Sequence, residues 1–578
     1  MSFFKRQPVV KPLGHRGSSL TADGVRASGK AVIHVGNRAR FVFVMAACSL
    51  CFGMISLRLV EVAAVAQTGL ERRAGSAQNI RYQRPDLMDR NDIIMAKDLN
   101  KTSLYADSTK IIDIDEVVEK LTAVLPDLDP RRLRAKLSHK SKFIWIKRGL
   151  TPRQHARIFR LGLPGLEFER ENSRVYPNGQ IAAHILGHVN VDNKGTAGIE
   201  KYIDTIGLSN ADALAPVKLS IDLRVQHAVR EELVAAMQLY KAKAVSAVVL
   251  DVHTGEVLAM SSLPDYDPND PAKSLNKNTL NRMTAGVYEL GSVFKAFTVA
   301  MALDSGVATL KSKYDARKAI RAASFKIDDF HAKRRILTVP EVFIYSSNIG
   351  AAKIALDVGR KRQKAFLKRL GLLTRLQTEL PESRQPMFPK TWRPVNVMTI
   401  GYGHGLAVSP LQAASAAAAL VNGGKLITPT FLKRSEAVAL FSAKQVLKPE
   451  TSADMRYLMR LNVTKGTARK ADVPGYLVGG KTGTAEKATR HGYSKNKLLT
   501  SFMGTFPTNA PKYVILVVLD EPKGLKQTHG YATSGWNAAP VTAKIVARIA
   551  PMLGVLPEDP SVEIFRRPVL AAFDKEPR

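Results

Sequence analysis

Residues 291–305 read Gly-Ser-Val-Phe-Lys-Ala-Phe-Thr-Val-Ala-Met-Ala-Leu-Asp-Ser. The first five hold Ser-x-x-Lys at the head of an apolar, helix-forming run. Positions i and i+3 share a helix face, so the Lys295 amine meets the Ser292 hydroxyl. A serine is a poor nucleophile until a base takes its proton, and a lysine becomes such a base when desolvation or a neighbouring cation lowers its pKa. Alone, the spacing fits equally well a helix N-cap serine followed by a surface lysine. Two later segments change that balance: Ser346-Ser347-Asn348, which precedes a second helix-like stretch, and Lys481-Thr482-Gly483-Thr484.

Outward from this centre, Asp222 leads into an amphipathic helix through Leu239. Ala244 to Asp251 and Glu256 to Leu263 flank the turn His253-Thr254-Gly255, which is a hairpin signal. Leu499 to Phe506 and Tyr513 to Leu519 read as two more strands, and a helix runs from about Asn537 to Met552, with Pro540 tolerated in its first turn. Strands at both ends with helices between predict an α+β region whose sheet pairs distant segments. Gly475 to Thr482 also fits Gly-x-x-x-x-Gly-Lys-Thr, the phosphate-binding loop of an ATPase. That loop must open a helix. Here Gly483 follows the Lys-Thr pair at once, and 487–492 carries no apolar stripe, so the ATPase is the weaker reading.

The 578 residues leave room for two to four domains, and a 45% hydrophobic, 24% charged composition excludes a wholly disordered chain. Residues 1–40 carry Lys5, Arg6, Lys11, Arg16, Arg26, Lys30, Arg38 and Arg40 against one acid, Asp23; Phe41 to Leu57 is then free of charge. That run is long enough to span a bilayer, and its basic flank places the N-terminus in the cytoplasm. A cleaved signal peptide is the rival, with Ala64-Val65-Ala66 as a small-residue site; the long basic segment and the length of the apolar run favour a retained anchor. With only one such run, a polytopic protein is excluded. Cys48 and Cys51 lie inside this run, so the exported part carries no disulfide. The net charge of +36 is spread along the chain without a nucleic-acid-binding motif, so no nucleic-acid partner is expected. Residues 84–107 read as strands and tight turns, 110–170 as helical and basic with proline breaks, and 166–179 as a strand and turn.

Ser-x-x-Lys, Ser-x-Asn and Lys-Thr-Gly in that order form the signature set of the penicillin-recognising serine acyltransferases. With these motifs the chain resembles a class B penicillin-binding protein, most closely the division-specific (septal) peptidoglycan D,D-transpeptidases. The resemblance extends from the anchor to about residue 550. It also rests on Tyr288-Glu289-Leu290, the Gly401-Tyr402-Gly403-His404-Gly405 segment, Gly466-Thr467-Ala468 and Gly479-Gly480. Arg84, Asp89, Arg90, Asn91, Arg174, Tyr176, Pro177 and Gly198-Ile199-Glu200 resemble the family's N-terminal pedestal. The chain departs from the family's usual Pro at Leu290 and its usual Gly at Pro85 and Asp92.

The resemblance implies a cytoplasmic tail (1–40), a transmembrane anchor (41–60), an elongated mixed α/β pedestal (61–218), a transpeptidase domain of antiparallel sheet sandwiched by helices (219–555) and a loose tail (556–578). It implies a single-pass inner-membrane protein with its catalytic domain outside the cytoplasm. Ser292 would be the acyl-accepting nucleophile and Lys295 its base. Ser346 would relay the proton and Asn348 would hold side chains and substrate amide. Lys481 would supply positive field, while Thr482, Gly483 and Thr484 bind substrate. The backbone N–H groups of Ser292 and Thr484 would form the oxyanion hole. No metal or cofactor is called for. Stem peptides ending in D-Ala-D-Ala, an acceptor amine, β-lactams, a polytopic glycosyltransferase and other division proteins are the implied partners. An elongation-type transpeptidase and a D,D-carboxypeptidase would use the same three motifs, a β-lactamase would add a deacylating base, and a sensor would keep only the fold.

Overall fold

The computed structural model describes residues 42–56, 58, 84–208, 215–322, 325–489 and 492–558. Met1–Ile80 and Arg81–Arg578 are two separate units. In the first, residues 42–56 are helical, with apolar side chains such as Phe43 and Phe52 exposed. Among the described residues no helix is long and apolar enough to cross a membrane. The rest of the expected anchor, the tail over 1–40 and most of the C-terminal tail lie outside the described residues.

The second unit begins with the sheet of the expected pedestal: β1 (Leu87–Met88), β2 (Ile94–Ala106), β3 (Ile144–Leu150), β4 (Leu166–Val175) and β5 (Val217–Lys218). β2 pairs antiparallel with β1, β3 and β4, and β1 pairs parallel with β5. Three helices fill the stretch between β2 and β4: α1 (Ile114–Val124), α2 (Pro130–Leu137) and α3 (Pro152–Arg160). The expectation of a helical 110–170 needs correction, because β3 interrupts it. Ile-Trp-Ile at 144–146 is β-branched and aromatic, and it favours a pleated, half-buried surface. Pro130 and Pro152 do not break helices; each starts one at its first turn, behind Asp129 and the Thr151 capping box. Helix α4 (Gly198–Thr205) completes this region.

Leu104, Leu121, Leu133 and Ile158 form a hydrophobic core with α1–α3, whereas the interior around Glu200 is ionic. The Glu200 carboxylate, fully buried, accepts from Arg84 Nε at 2.7 Å and Arg174 Nε at 2.6 Å. Arg84 also donates to Asp204 at 2.6 Å and to the Glu200 carbonyl at 2.6 Å; Arg174 donates to Asp98 at 3.1 Å and to the Pro85 carbonyl at 2.9 Å. Residues from four segments, scattered in sequence, thus meet in one network. The neighbouring turn is closed by Asp89, which accepts from Asn91 N, Ile93 N and Leu223 N. Asp92 stands at φ 66°, the left-handed conformation that suits glycine and that aspartate tolerates, and it pairs with Lys218 at 2.7 Å.

Beyond β5, Asp222 caps α5 (Leu223–Leu239), as expected. A five-stranded antiparallel sheet follows, built from β6 (Ala244–Asp251), β7 (Val257–Leu263), β8 (Gly479–Thr489), β9 (Gly492–Phe506) and β10 (Tyr513–Asp520) in the order β8-β9-β10-β6-β7. Tyr513 pairs with Asp251 and Asp520 with Ala244, so the sheet does join distant segments. Helices α6 (Phe294–Asp304), α7 (Asn348–Val358), α8 (Arg360–Arg369), α9 (Pro410–Val421) and α10 (Pro449–Lys465) lie between β7 and β8 in sequence, and α11 (Ala538–Met552) closes the chain. Alternate residues of a strand face opposite sides. Val514, Leu516 and Val518 enter the core shared with α6, α7, α9 and α10; Ile515, Val517 and Leu519 enter the core shared with α5 and α11. Burial on both faces is why β10 reads as an unbroken apolar run from Val514 to Leu519.

Removing the shared anion of the buried ionic network leaves Arg84 with only Asp204, and Arg174 with only Asp98, to balance two buried guanidinium charges. Glu200→Gln should therefore cost about 3–5 kcal/mol, read as a lower urea midpoint for the transition that exposes residues 84–218. An unchanged midpoint would show that the network holds nothing together.

Candidate active site

Ser292 sits in a short 3-10 turn, Gly291–Val293, that runs directly into α6. Backbone meets backbone around this turn. Gly291 has φ 57°, and a Cβ there would lie 2.6 Å from the Thr484 carbonyl oxygen; one at Gly483 would lie 2.3 Å from the Leu290 carbonyl oxygen. The Ser292 turn is thereby pressed against β8. Leu290, where proline was expected, has φ −82° and is buried, so the backbone keeps a proline-compatible angle without the ring.

One turn along α6, the Lys295 side chain is wholly buried. Its Nζ lies 3.0 Å from Ser292 Oγ, 3.1 Å from Ser346 Oγ and 2.7 Å from Asn348 Oδ1, and it also bonds the Ser346 carbonyl. Burial pushes this ammonium down to about 7, against the opposing pull of the nearby Asp329 carboxylate. That is the condition the Ser-x-x-Lys reading required.

The Ser-x-Asn segment is a strained turn held from outside. Ser346 has φ 57°, which is costly for a residue with a Cβ. Ser347 caps α7, its Oγ accepting from Gly350 N at 2.9 Å while donating to Asp329 Oδ2 at 2.7 Å. Asp329 Oδ1 accepts from Ile349 N at 2.9 Å, and Asn348 Nδ2 donates to the Asp328 carbonyl at 2.9 Å, which leaves Asn348 Oδ1 aimed at Lys295. Asp328 and Asp329 were not anticipated. Their only trace in the sequence is an Asp-Asp pair in a polar stretch, and nothing in that stretch says what it folds against.

Lys-Thr-Gly lies on β8 itself, an extended edge strand, rather than at a helix start; this removes the phosphate-loop alternative. Lys481 is as buried as Lys295. Its Nζ donates to Ser346 Oγ at 2.9 Å and to the Thr482 carbonyl at 3.1 Å, 5.8 Å from the Phe343 ring centre. Burial, and then the charge on Lys295, hold its pKa well below the usual lysine range. The Ser346 hydroxyl thus stands between two buried amines. Thr482 Oγ1 is 2.7 Å from Thr467 Oγ1, and Thr467 is fixed by Asn462. Thr484 Oγ1 accepts from Ser534 N at 3.1 Å. On a strand, one residue's N–H and C=O point the same way. The Thr484 carbonyl is the atom a Gly291 Cβ would meet, so its N–H faces the Ser292 turn as well.

A second cluster braces the turn from the other side. The Glu289 carboxylate accepts from Gly405 N at 2.9 Å and Tyr493 Oη at 3.0 Å, with His404 Nδ1 at 3.3 Å. All the expected site residues, Ser292, Lys295, Ser346, Asn348, Lys481, Thr482, Gly483 and Thr484, therefore line one location, drawn from three distant segments. Among the described residues no group of three His, Cys, Asp or Glu side chains is spaced to hold a metal ion.

Residues 245–547 match the penicillin-binding protein transpeptidase domain, and residues 79–209 match the penicillin-binding protein dimerisation domain. The chain is 40% identical, over 93% of its length and 92% of the relative's, to a probable peptidoglycan D,D-transpeptidase FtsI of Caulobacter vibrioides. It is 28% identical to the peptidoglycan D,D-transpeptidase FtsI of Escherichia coli K12, over 84% of this chain and 87% of that one. Its fold is like that of penicillin-binding protein 3 of Mycobacterium tuberculosis, solved with aztreonam: TM-score 0.64, 22% identity, 83% of this chain and 98% of that chain covered. With its three motifs gathered at one site and a dimerisation domain ahead of them, the chain belongs to the penicillin-binding protein transpeptidases.

Proposed function

We propose that this protein is a septal peptidoglycan D,D-transpeptidase that cross-links stem peptides through an acyl-serine at Ser292. One observation carries the reading: an unbroken polar chain from Ser292 Oγ through Lys295 Nζ and Ser346 Oγ to Lys481 Nζ, each step 2.9–3.1 Å. The septal assignment draws on the Tyr288-Glu289 and Gly401-Tyr402-Gly403 stretches and on the likeness to FtsI.

In this reading neutral Lys295 takes the Ser292 proton as Oγ attacks the penultimate D-Ala carbonyl. The oxyanion is met by the N–H groups of Ser292 and Thr484; losing one such donor typically costs ~10²–10³ in rate. The C–N bond breaks, Ser346 passes a proton to the leaving amine, and D-Ala departs. An acceptor amine then attacks the ester, releases Ser292 and forms the cross-link. Asn348 orients Lys295 and the substrate amide. Lys481 supplies positive field, and Thr482 and Thr484, with Gly483 between them, grip the substrate carboxylate. β-Lactams would acylate the same serine.

The proposed organisation keeps residues 1–40 in the cytoplasm, 41–60 as the anchor, 61–218 as pedestal, 219–555 as the catalytic domain outside the cytoplasm, and 556–578 as a tail. It is supported by the basic flank, the charge-free run and the apolar surface of helix 42–56. Division proteins, a polytopic glycosyltransferase among them, are the proposed partners.

Full-length protein incubated with a fluorescent penicillin should carry a stable adduct on Ser292 that Ser292→Ala abolishes; an adduct elsewhere overturns the assignment. Depleting the protein should block septation while elongation continues. The acylation rate should climb about tenfold per pH unit below about 7 and level off above it, because only neutral Lys295 accepts the proton. Asp329→Asn removes the anion that favours the charged amine, so this limb should move to lower pH; a merely structural role would slow acylation without moving the limb.

A further inference from the structure

α8, which follows α7 after the single residue Gly359, reads Arg-Lys-Arg-Gln-Lys-Ala-Phe-Leu-Lys-Arg. Gln363, Phe366 and Leu367 face the core. The opposite face carries Arg360, Lys364 and Lys368 in an i, i+4, i+8 column, beside Lys361. Like charges at this spacing destabilise a helix. Arg360 and Lys361 open the helix, where its dipole favours anions, and no acidic residue stands in that first turn. Lys390 approaches from outside α8, and the five cations line one depression of about 470 Å³. Its floor is rigid: Trp392 is buried, its Nε1 donating to Gln363 Oε1 at 2.9 Å, and Lys364 Nζ lies 5.9 Å from the indole centre. Among the described residues no carboxylate forms an ion pair with any of the five, whereas the adjacent Arg369 is paired with Asp304.

Three local electrostatic rules are thus broken at one spot, each in the direction that raises positive potential. We infer that the depression formed by Arg360, Lys361, Lys364, Lys368 and Lys390 binds the carboxylates of a peptidoglycan strand, holding the polymer while one of its stem peptides occupies the Ser292 site. This rests on the transpeptidase reading above. α7 carries Asn348 at its first residue and ends beside α8. Its 11 residues put the start of α8 about 16 Å along the helix axis from Asn348. A polymer that presents one stem at Ser292 continues past the cleft, and its neighbouring stems bring further carboxylates. Four of the five cations are lysines, point charges on rotatable stems, which suit mobile and spaced anions better than one fixed, bidentate group.

The test uses full-length protein in detergent and uncross-linked glycan strands bearing stem peptides, with the same strands after amidation of their carboxylates as the comparison. Lys364→Glu/Lys368→Glu relieves the helix of its like-charge column and should fold; Arg153→Glu/Arg157→Glu, on exposed pedestal residues, controls for the change in net charge. Binding to peptide-bearing strands should weaken roughly tenfold or more in the α8 variant and little in the control, and should fall with salt. The rate of penicillin acylation at Ser292 should stay at the wild-type value in both. Equal strand binding by wild type and α8 variant overturns the inference, as does undiminished binding of the amidated strands. Capture by anionic phospholipid vesicles in place of strands overturns it in favour of lipid phosphate. Absence of acylation in the wild type would instead sink the transpeptidase reading.

Discussion

Two buried lysine amines share one serine hydroxyl, and the rest of the molecule is arranged to sustain that arrangement. Lys295 and Lys481 are both buried, and each reaches Ser346 Oγ. Two full charges in that space would repel, and each would lose its hydration. The protein meets this constraint by lowering the proton affinity of both and by supplying carbonyls, Asn348 and a nearby Asp329 in place of water. What is costly for folding is what makes one amine a base near neutral pH. Stability and reactivity are set here by the same desolvation.

The scaffolding follows from this. Ser346 is held at a positive φ from both sides, by Lys295 on its carbonyl and by Asp328 and Asp329 on the two residues that follow. The Ser292 turn is locked by glycine contacts with β8 and braced behind by Glu289. β8 is in turn fixed by its pairing with β9 and by the threonine and asparagine contacts from 462 and 467. Each of the three motif segments is therefore held by neighbours outside the motifs.

Much of this was legible in the sequence because short motifs carry their own geometry. Ser-x-x-Lys on a helix must bring its two polar ends together, and a strand such as β10, apolar from Val514 to Leu519, must be covered on both faces. The helix after Asp222 and the hairpin after Ala244 were set by capping and turn residues. What could not be read was whatever depends on long-range partners. β3 was hidden in a basic, proline-punctuated stretch, because its reason for being a strand is the pairing with β2. Asp329 looked like any loop acid until the fold carried it to Ser347. Lys-Thr-Gly gave its chemistry but not its strand, since an edge position is a property of the sheet and not of the segment. At Asp92 the sequence departed from the expected glycine and the backbone did not, because aspartate tolerates the same angle.

The pairing of β6 with β10 has a bearing on how the protein is made. β6 and its hairpin partner β7 emerge early and are buried on both faces in the finished fold, yet β10 arrives only near the end of the chain. Until then an apolar hairpin with an unfilled edge is exposed, which is a hazard for non-native pairing. Long-range strand pairing of this kind is also slow. Ser292, Ser346 and Lys481 can come together only once β8, late in the chain, is present. A chain that stops before β8 would carry Ser292, Lys295 and Ser346 but lack Lys481, so assembly of the whole cluster becomes a report of nearly complete synthesis.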